Sequence, residues 1–134
     1  TFKDFVFKIK DLLIRYQSSF SEIHFSFHFN EIYDNVKLKP LQLLNLFRII
    51  QEGISNAIKH AEATSIDIFL EHNTDKKLII IIKDNGKGLI EKEFDDSHHG
   101  LRNMHDRANE IGSKLSIEGI YNKGTKVQID VNLS

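Results

Sequence analysis

Residues 51–61 of this 134-residue chain read QEGISNAIKHA and lie in a longer segment whose apolar residues recur at helical spacing. On a helix, Glu52, Asn56 and Lys59 share one face, and His60 stands one turn beyond Asn56. A carboxylate, an amide oxygen and a cation in line suit a general base, a ligand for a hard metal ion and a phosphate contact. The alternative is an ordinary solvated helix face with charges at i and i+7.

The segments on either side of this helix show either helical or strand periodicity. The central helix is predicted from Pro40 to about Ala63, and the apolar run Leu78–Ile82 is predicted as an inner strand covered on both faces. The other predicted elements are a helix at 2–17, strands at 23–30, 65–71, 114–118 and 126–133, and a short helix from Leu101 to Gly112. One sheet layered against helices satisfies this order, so the sequence predicts an α/β sandwich.

The sequence Asp84-Asn85-Gly86-Lys87-Gly88 directly follows the predicted inner strand. A carboxylate at a strand end can accept a hydrogen bond from an exocyclic amine such as that of adenine. Gly86 and Gly88 have no side chain, so the backbone can approach a flat ligand closely. Taken alone, the segment is also typical of a simple Asp-Asn-Gly turn.

Two further glycines precede predicted elements. Gly100 begins the short helix after a polar loop at 86–100, and free amides at a helix N-terminus bind anions, with Arg102 adding charge. Gly124-Thr125 opens the last strand, where the threonine hydroxyl could join the Asp84 pocket through water. A plain glycine-opened helix and a turn glycine before an edge strand are the alternatives.

The composition is that of an ordinary globular domain, with 40% hydrophobic and 28% charged residues. A net charge of -1 argues against a protein whose main partner is nucleic acid, and the absence of cysteine excludes disulfides and thiolate metal sites. His98, His99 and His105 lack the spacing of a dedicated zinc site. With no apolar run of membrane-spanning length, we expect a cytoplasmic domain that makes no membrane contact itself, whether or not its parent protein is anchored.

Taken in order, QEGISNAIKHA, DNGKG, GLRNM and the closing Gly124-Thr125 resemble the N-box, G1 box, G2 box and final Gly-Thr of the histidine-kinase ATP-binding domain (HATPase_c, GHKL superfamily). The resemblance covers about Pro40 to Leu133 and is closest to sensor kinases paired with response regulators of NarL type. It implies the Bergerat ATP-binding fold, with one mixed, mostly antiparallel sheet and helices packed on one face. It also implies ATP and Mg²⁺ as ligands and transfer of the ATP γ-phosphoryl group to a histidine.

The same resemblance implies a role for each matching residue. Asn56 would bind Mg²⁺, Glu52 would polarise the attacking group, Lys59 and His60 would contact phosphates, and Asp84 would hold the adenine amine. The other implied contacts are Gly86 and Gly88 beside the base, Gly100 and Leu101 at the phosphates, Thr125 at the adenine site, and a short ATP lid at 89–99.

The chain departs from the family pattern in one respect. A full kinase carries a phosphoacceptor histidine on a dimerising helical hairpin, in a context like His-x-x-x-Asp, and no histidine here has that context. Residues 1–18 are therefore predicted to link to this dimerisation and phosphoacceptor domain, with an exposed apolar face, and residues 19–134 to form the catalytic domain. Two other functions stay open: a gyrase- or MutL-type ATPase, and an anti-sigma-like serine kinase or non-enzymatic nucleotide-binding module.

Overall fold

The computed structural model describes residues 2–29, 37–59, 62–72, 76–88 and 99–133, without the side chain of His99. None of the described helices is long and apolar enough to span a bilayer. In chain order the elements are α1 (Phe2–Ser19), β1 (His24–Phe29), α2 (Pro40–Lys59), β2 (Ser65–His72), β3 (Lys77–Asp84), α3 (His99–Glu110), β4 (Lys114–Ile120) and β5 (Gly124–Asn132).

The described strands form one five-stranded sheet in the order β1-β2-β3-β5-β4. β1 pairs in parallel with β2, whereas the β2–β3, β3–β5 and β4–β5 pairs are antiparallel. The register places Asp84, at the end of β3, between Ile66 of β2 and Thr125 of β5. The predicted mixed, mostly antiparallel sheet is confirmed.

The hydrophobic core lies between one face of the sheet and the helices. In β3, the side chains of Leu78, Ile80 and Ile82 are at most 2% exposed, and they share one core cluster with residues of all three helices. Ile79 and Ile81 point to the opposite face and are only partly buried. The prediction that Leu78–Ile82 is covered on both faces is therefore wrong. The second face is covered only in part, by cross-strand neighbours such as Phe69, which lies opposite Ile81.

Helix α2 packs against the buried face of the sheet. Pro40 occupies the first helical position, where its missing N–H has no helical partner to lose. Gly53 lies against β3, because a Cβ there would be 2.7 Å from Cδ1 of Ile82. The predicted end at Ala63 is too late: α2 ends at Lys59, and Glu62 has a φ of +53°, which is incompatible with a right-handed helix.

Helix α1 is packed into the domain, so the prediction that its apolar face is exposed is wrong. Phe2, Phe5, Ile9 and Leu13 belong to the buried core, and the helix contacts β1 and α2. The reason is the strict apolar stripe of α1, which covers the sheet next to α2. The link from α1 to a dimerisation domain stays a prediction.

The side chain of Gln17 joins the end of α1 to the start of β1. Its Nε2 donates to the carbonyl oxygens of Ile23 (2.7 Å) and Phe20 (3.4 Å), and its Oε1 accepts from the N–H of Phe25 (3.1 Å). The side chain therefore satisfies backbone groups at the point where the chain enters the sheet.

We expect Gln17→Ala to lower the free energy of unfolding by about 1–2 kcal/mol, because several partly buried backbone groups lose their partner. The matched control is Asp11→Ala on the same helix, which removes only an exposed ion pair with Arg15 at 3.6 Å and should cost less than about 0.5 kcal/mol. Urea unfolding of both variants measures the difference. Equal costs would contradict the assigned role of Gln17.

Candidate functional site

Asp84 is a buried carboxylate at the end of β3, with only 7% of its surface exposed. The N–H of Gly86 donates to its Oδ1 at 2.8 Å, and the N–H of Thr125 also donates to it. Burial raises the pKa of Asp84, and these two hydrogen bonds oppose that rise. The carboxylate is thus held in place by backbone groups. It is suited to accept a hydrogen bond from a ligand in a poorly hydrated pocket.

The backbone around Asp84 is close-packed at two glycines, Gly88 and Gly124. Gly124 has a φ of +107°, and a Cβ there would lie 1.9 Å from the carbonyl oxygen of Asp84. Gly88 has a φ of +88°, and its Cβ would lie 2.4 Å from the carbonyl oxygen of Ile120. Gly86 is buried and supplies the N–H to Asp84. Only glycine fits the Gly88 and Gly124 positions, so the β4–β5 turn and the loop after β3 form one rigid wall.

Asn85 fixes this wall to the segment that follows α2. Its Oδ1 accepts from the N–H groups of Thr64 and Ser65, both at 2.9 Å, and its Nδ2 donates to Oγ1 of Thr64 at 2.9 Å. In the sequence, Asn85 indicated no more than a turn residue. These bonds bring the C-terminal ends of α2 and β3 to the same edge of the sheet.

Glu52, Asn56 and Gly100 come together where α3 begins against α2. A Cβ on Gly100 would lie 2.7 Å from Oε2 of Glu52 and 3.3 Å from Oδ1 of Asn56. The first amides of α3 have no partner inside the helix and carry the positive end of its dipole. The structure therefore brings a carboxylate, an amide and a helix N-terminus together.

Asn56 also carries a polar atom without a partner. Its Nδ2 is buried and makes no hydrogen bond to any described residue. A buried amide group normally finds a partner, so this one is suited to a ligand. Because the oxygen and nitrogen of an amide can exchange places by rotation, the group can present its oxygen to a hard cation, and these residues fit Mg²⁺.

Tyr16 of α1 is a neighbour of Glu52 that the sequence did not reveal. Burial raises the pKa of Tyr16, and the negative charge of Glu52 raises it further, against a lowering by Arg15. Its ring stacks on Phe25 and Phe20 at centroid distances of 5.9 and 6.2 Å. No short-range sequence pattern connects residues this far apart along the chain.

The other predicted site residues differ in how much of them the structure shows near Glu52, Asn56 and Asp84. Leu101 turns its side chain into the core at 6% exposure, so only its backbone can serve a ligand, and Thr125 is buried at 4% beside Asp84. Lys59 is the exposed last residue of α2. His60 and the predicted lid residues 89–98 lie outside the described residues.

The amino-acid sequence is similar to that of a known protein family and of a curated sensor protein. The family described as histidine kinase-, DNA gyrase B- and HSP90-like ATPase matches residues 42–134. The sensor protein VraS of Staphylococcus aureus (strain COL) is 39% identical over 90 residues, which make up 67% of this chain and 26% of that protein. The chain thus spans only 26% of the length of this curated relative.

Two solved structures match most of the described fold. Full-length ShkA in complex with AMPPNP superimposes with a TM-score of 0.79 at 12% identity, over 100% of this chain and 30% of that one. The catalytic domain of histidine kinase ThkA gives a TM-score of 0.72 at 19% identity, over 98% of this chain and 93% of that one. The predicted Bergerat-type fold is confirmed.

Proposed function

Because this chain belongs to the histidine kinase-, DNA gyrase B- and HSP90-like ATPase family, we propose that it is the ATP-binding catalytic domain of a two-component sensor histidine kinase. The observation that carries the proposal is the juxtaposition of Gly100 with Glu52 and Asn56, at the same edge of the sheet as the buried Asp84. An anion-binding helix end and a buried base-reading carboxylate together suit a nucleotide.

Asp84 is the proposed contact to the base. Its carboxylate accepts a hydrogen bond from the amine of adenine, and the carbonyl of guanine at that place would repel it. The glycine wall of Gly86, Gly88 and Gly124 lets the backbone approach the ring, and Thr125 completes the adenine end. The domain should therefore prefer adenine nucleotides.

The phosphates are proposed to lie at the N-terminus of α3, where Gly100 and Leu101 offer backbone amides. Lys59, the last residue of α2, is a proposed phosphate contact, as is His60, the next residue in the sequence. Asn56 is the proposed protein ligand for Mg²⁺, which, when bound, neutralises charge on the triphosphate. A side chain at Gly100 would make the flexible end of Glu52 shift and would crowd Oδ1 of Asn56.

Glu52 is the proposed base of the transfer. Its carboxylate accepts the proton of the attacking imidazole while the nitrogen of that imidazole takes the γ-phosphoryl group and ADP leaves. Such catalysis depends mostly on positioning and charge stabilisation, which suits a site whose polar groups are held by backbone and helix packing.

The attacking histidine is proposed to belong to the dimerisation and phosphoacceptor domain of the same kinase, reached through α1, and the phosphoryl group to pass on to a response regulator. The amino-acid sequences of the three boxes support a regulator of NarL type; they read QEGISNAIKHA, DNGKG and GLRNM. The identity with VraS, itself named a sensor protein, supports the same class of parent. The catalytic domain would work in the cytoplasm of a parent that membrane segments elsewhere can anchor.

Titration with Mg²⁺·ATP of the wild-type chain and of Gly100→Ala tests the proposal. We expect binding by the wild type and a weaker affinity for Mg²⁺·ATP in Gly100→Ala, because the new methyl group would lie 3.3 Å from Oδ1 of Asn56, the proposed ligand of Mg²⁺. The control is Asn109→Ala, an exposed position on the same helix that should leave affinity unchanged. Absence of wild-type binding, or equal affinity in Gly100→Ala, would refute the proposed site.

A further inference from the structure

Asn45 is a polar side chain buried in the interface between α2 and α3. Among the described residues, the buried polar side chains are Asn45, Asp84 and Thr125, and the last two are explained by the adenine end of the site. Asn45 is 1% exposed and lies near the N-terminal end of α2, away from the end that carries Asn56. A buried amide is costly unless it is hydrogen-bonded, so its partners indicate its role.

The partners of Asn45 are at the C-terminus of α3. Its Nδ2 donates to the carbonyl oxygen of Arg107 at 3.0 Å and to Oε1 of Glu110 at 3.2 Å. The N–H of Ile111, the first residue after α3, donates to the carbonyl of Ala108 at 3.3 Å. The carbonyl of Arg107 accepts a hydrogen bond from a side chain of another helix.

The last turn of α3 is closed in the manner of a Schellman motif. Ser113 N–H donates to the carbonyl of Ala108 at 2.9 Å, Gly112 N–H donates to that of Asn109 at 3.0 Å, and Gly112 has a φ of +65°. The neighbouring Arg107 carbonyl accepts from Asn45. The C-terminal end of α3 is thus both rigid and fixed to α2.

The two helices run antiparallel, with contacts at both ends. Asn45, Glu52 and Asn56 are at i, i+7 and i+11 and share one face of α2. Asn45 holds the end of α3, and Glu52 and Asn56 meet its beginning at Gly100. Because a helix is stiff along its axis, fixing one end of α3 sets the position of the other.

We propose that Asn45 is a positioning residue for the phosphate end of the site: by capping α3 from α2, it sets the axial position of the α3 N-terminus over Glu52 and Asn56. The inference rests on the proposed function, because the α3 N-terminus is where the phosphates are placed. Asn45 itself touches no part of the nucleotide. Its effect should therefore fall on phosphate contacts and leave the adenine contacts unchanged.

The test compares the affinities for Mg²⁺·ATP and for adenosine in the wild-type chain, Asn45→Leu, Glu110→Ala and Ile129→Val. Asn45→Leu keeps a similar volume but removes the donor, and should weaken ATP binding about tenfold while adenosine affinity stays within about twofold. Glu110→Ala removes only the second acceptor, on an exposed residue, and should show a smaller loss of the same kind. Ile129→Val trims one buried methyl group in β5 and controls for general destabilisation.

Selective loss of ATP affinity in Asn45→Leu and Glu110→Ala, absent from Ile129→Val, supports the inference. An Asn45→Leu variant that loses ATP and adenosine affinity equally, or neither, overturns it. If Asn45→Leu does not fold, unchanged ATP affinity in Glu110→Ala overturns it. A wild-type chain that binds neither ligand refutes the proposed function and this inference with it, whereas wild-type binding with no selective effect refutes the inference alone.

Discussion

Replacing Asp84 with asparagine should raise the dissociation constant for ATP by roughly 5- to 100-fold, which corresponds to about 1–3 kcal/mol for an unpaired buried donor. The N–H of Gly86 already bonds to Oδ1, so the amide nitrogen of the variant would tend to face the adenine amine, donor against donor. The preference for ATP over GTP should fall with it. Calorimetric titration with both nucleotides measures this, and Asp106→Asn, on the exposed side of α3, is the matched control.

The same substitution should stabilise the empty domain near neutral pH. Burial raises the folded-state pKa of Asp84 above its ordinary value, so ionising this group costs stability in the folded state. That cost grows as the pH rises from the unfolded-state pKa of Asp84 through its raised folded-state pKa. It disappears at a pH below both pKa values. Asp84→Asn should therefore unfold at higher urea concentration than the wild type at pH 7, with the gain shrinking in acid. An unchanged ATP affinity, or a variant less stable at pH 7, would contradict the role assigned to this carboxylate.

Glu52→Gln should lower the rate of phosphoryl transfer by about 10²–10⁴-fold while leaving most of the ATP affinity intact. The substitution removes the base but preserves the shape of the side chain against Gly100. Loss of rate without loss of binding identifies an interaction made mainly in the transition state. Single-turnover transfer from labelled ATP measures the rate, and Glu118→Gln on the exposed face of β4 is the control.

Asn56→Ala should behave differently from Glu52→Gln, because it removes a proposed ligand of the metal that accompanies ATP. Its loss should appear in the affinity for Mg²⁺·ATP and so in the rate at low ATP concentration. A Glu52→Gln variant that transfers at the wild-type rate would exclude Glu52 as the base.

The sequence predicted the elements whose side-chain periodicity is strong. The alternation of Val127, Ile129 and Val131 in β5 is a local signal, and it is confirmed. Of the apolar residues at helical spacing in α2, Ile50 and Ile54 are fully buried, whereas Leu43 and Phe47 are only partly buried. Leu46 and Ile49, which lie outside that spacing, are also fully buried.

The contacts that sequence reasoning missed are all long-range. Asn45 resembles an ordinary polar residue in the sequence until Arg107 and Glu110 are seen beside it. Asn85 was interpreted as part of a turn, although its side chain holds the start of β2. The burial of α1 was missed because an amphipathic stripe indicates that a face is covered but not what covers it.

Phosphoryl transfer in trans shows whether this domain supplies the ATP site while another domain supplies the histidine. The chain would be mixed with the separately prepared dimerisation domain of its parent kinase and γ-labelled ATP. We predict acid-labile, base-stable phosphate on the dimerisation domain and none on this chain alone. Label on this chain alone at a comparable rate, or steady phosphate release with no transfer as in a gyrase-type ATPase, would contradict the account.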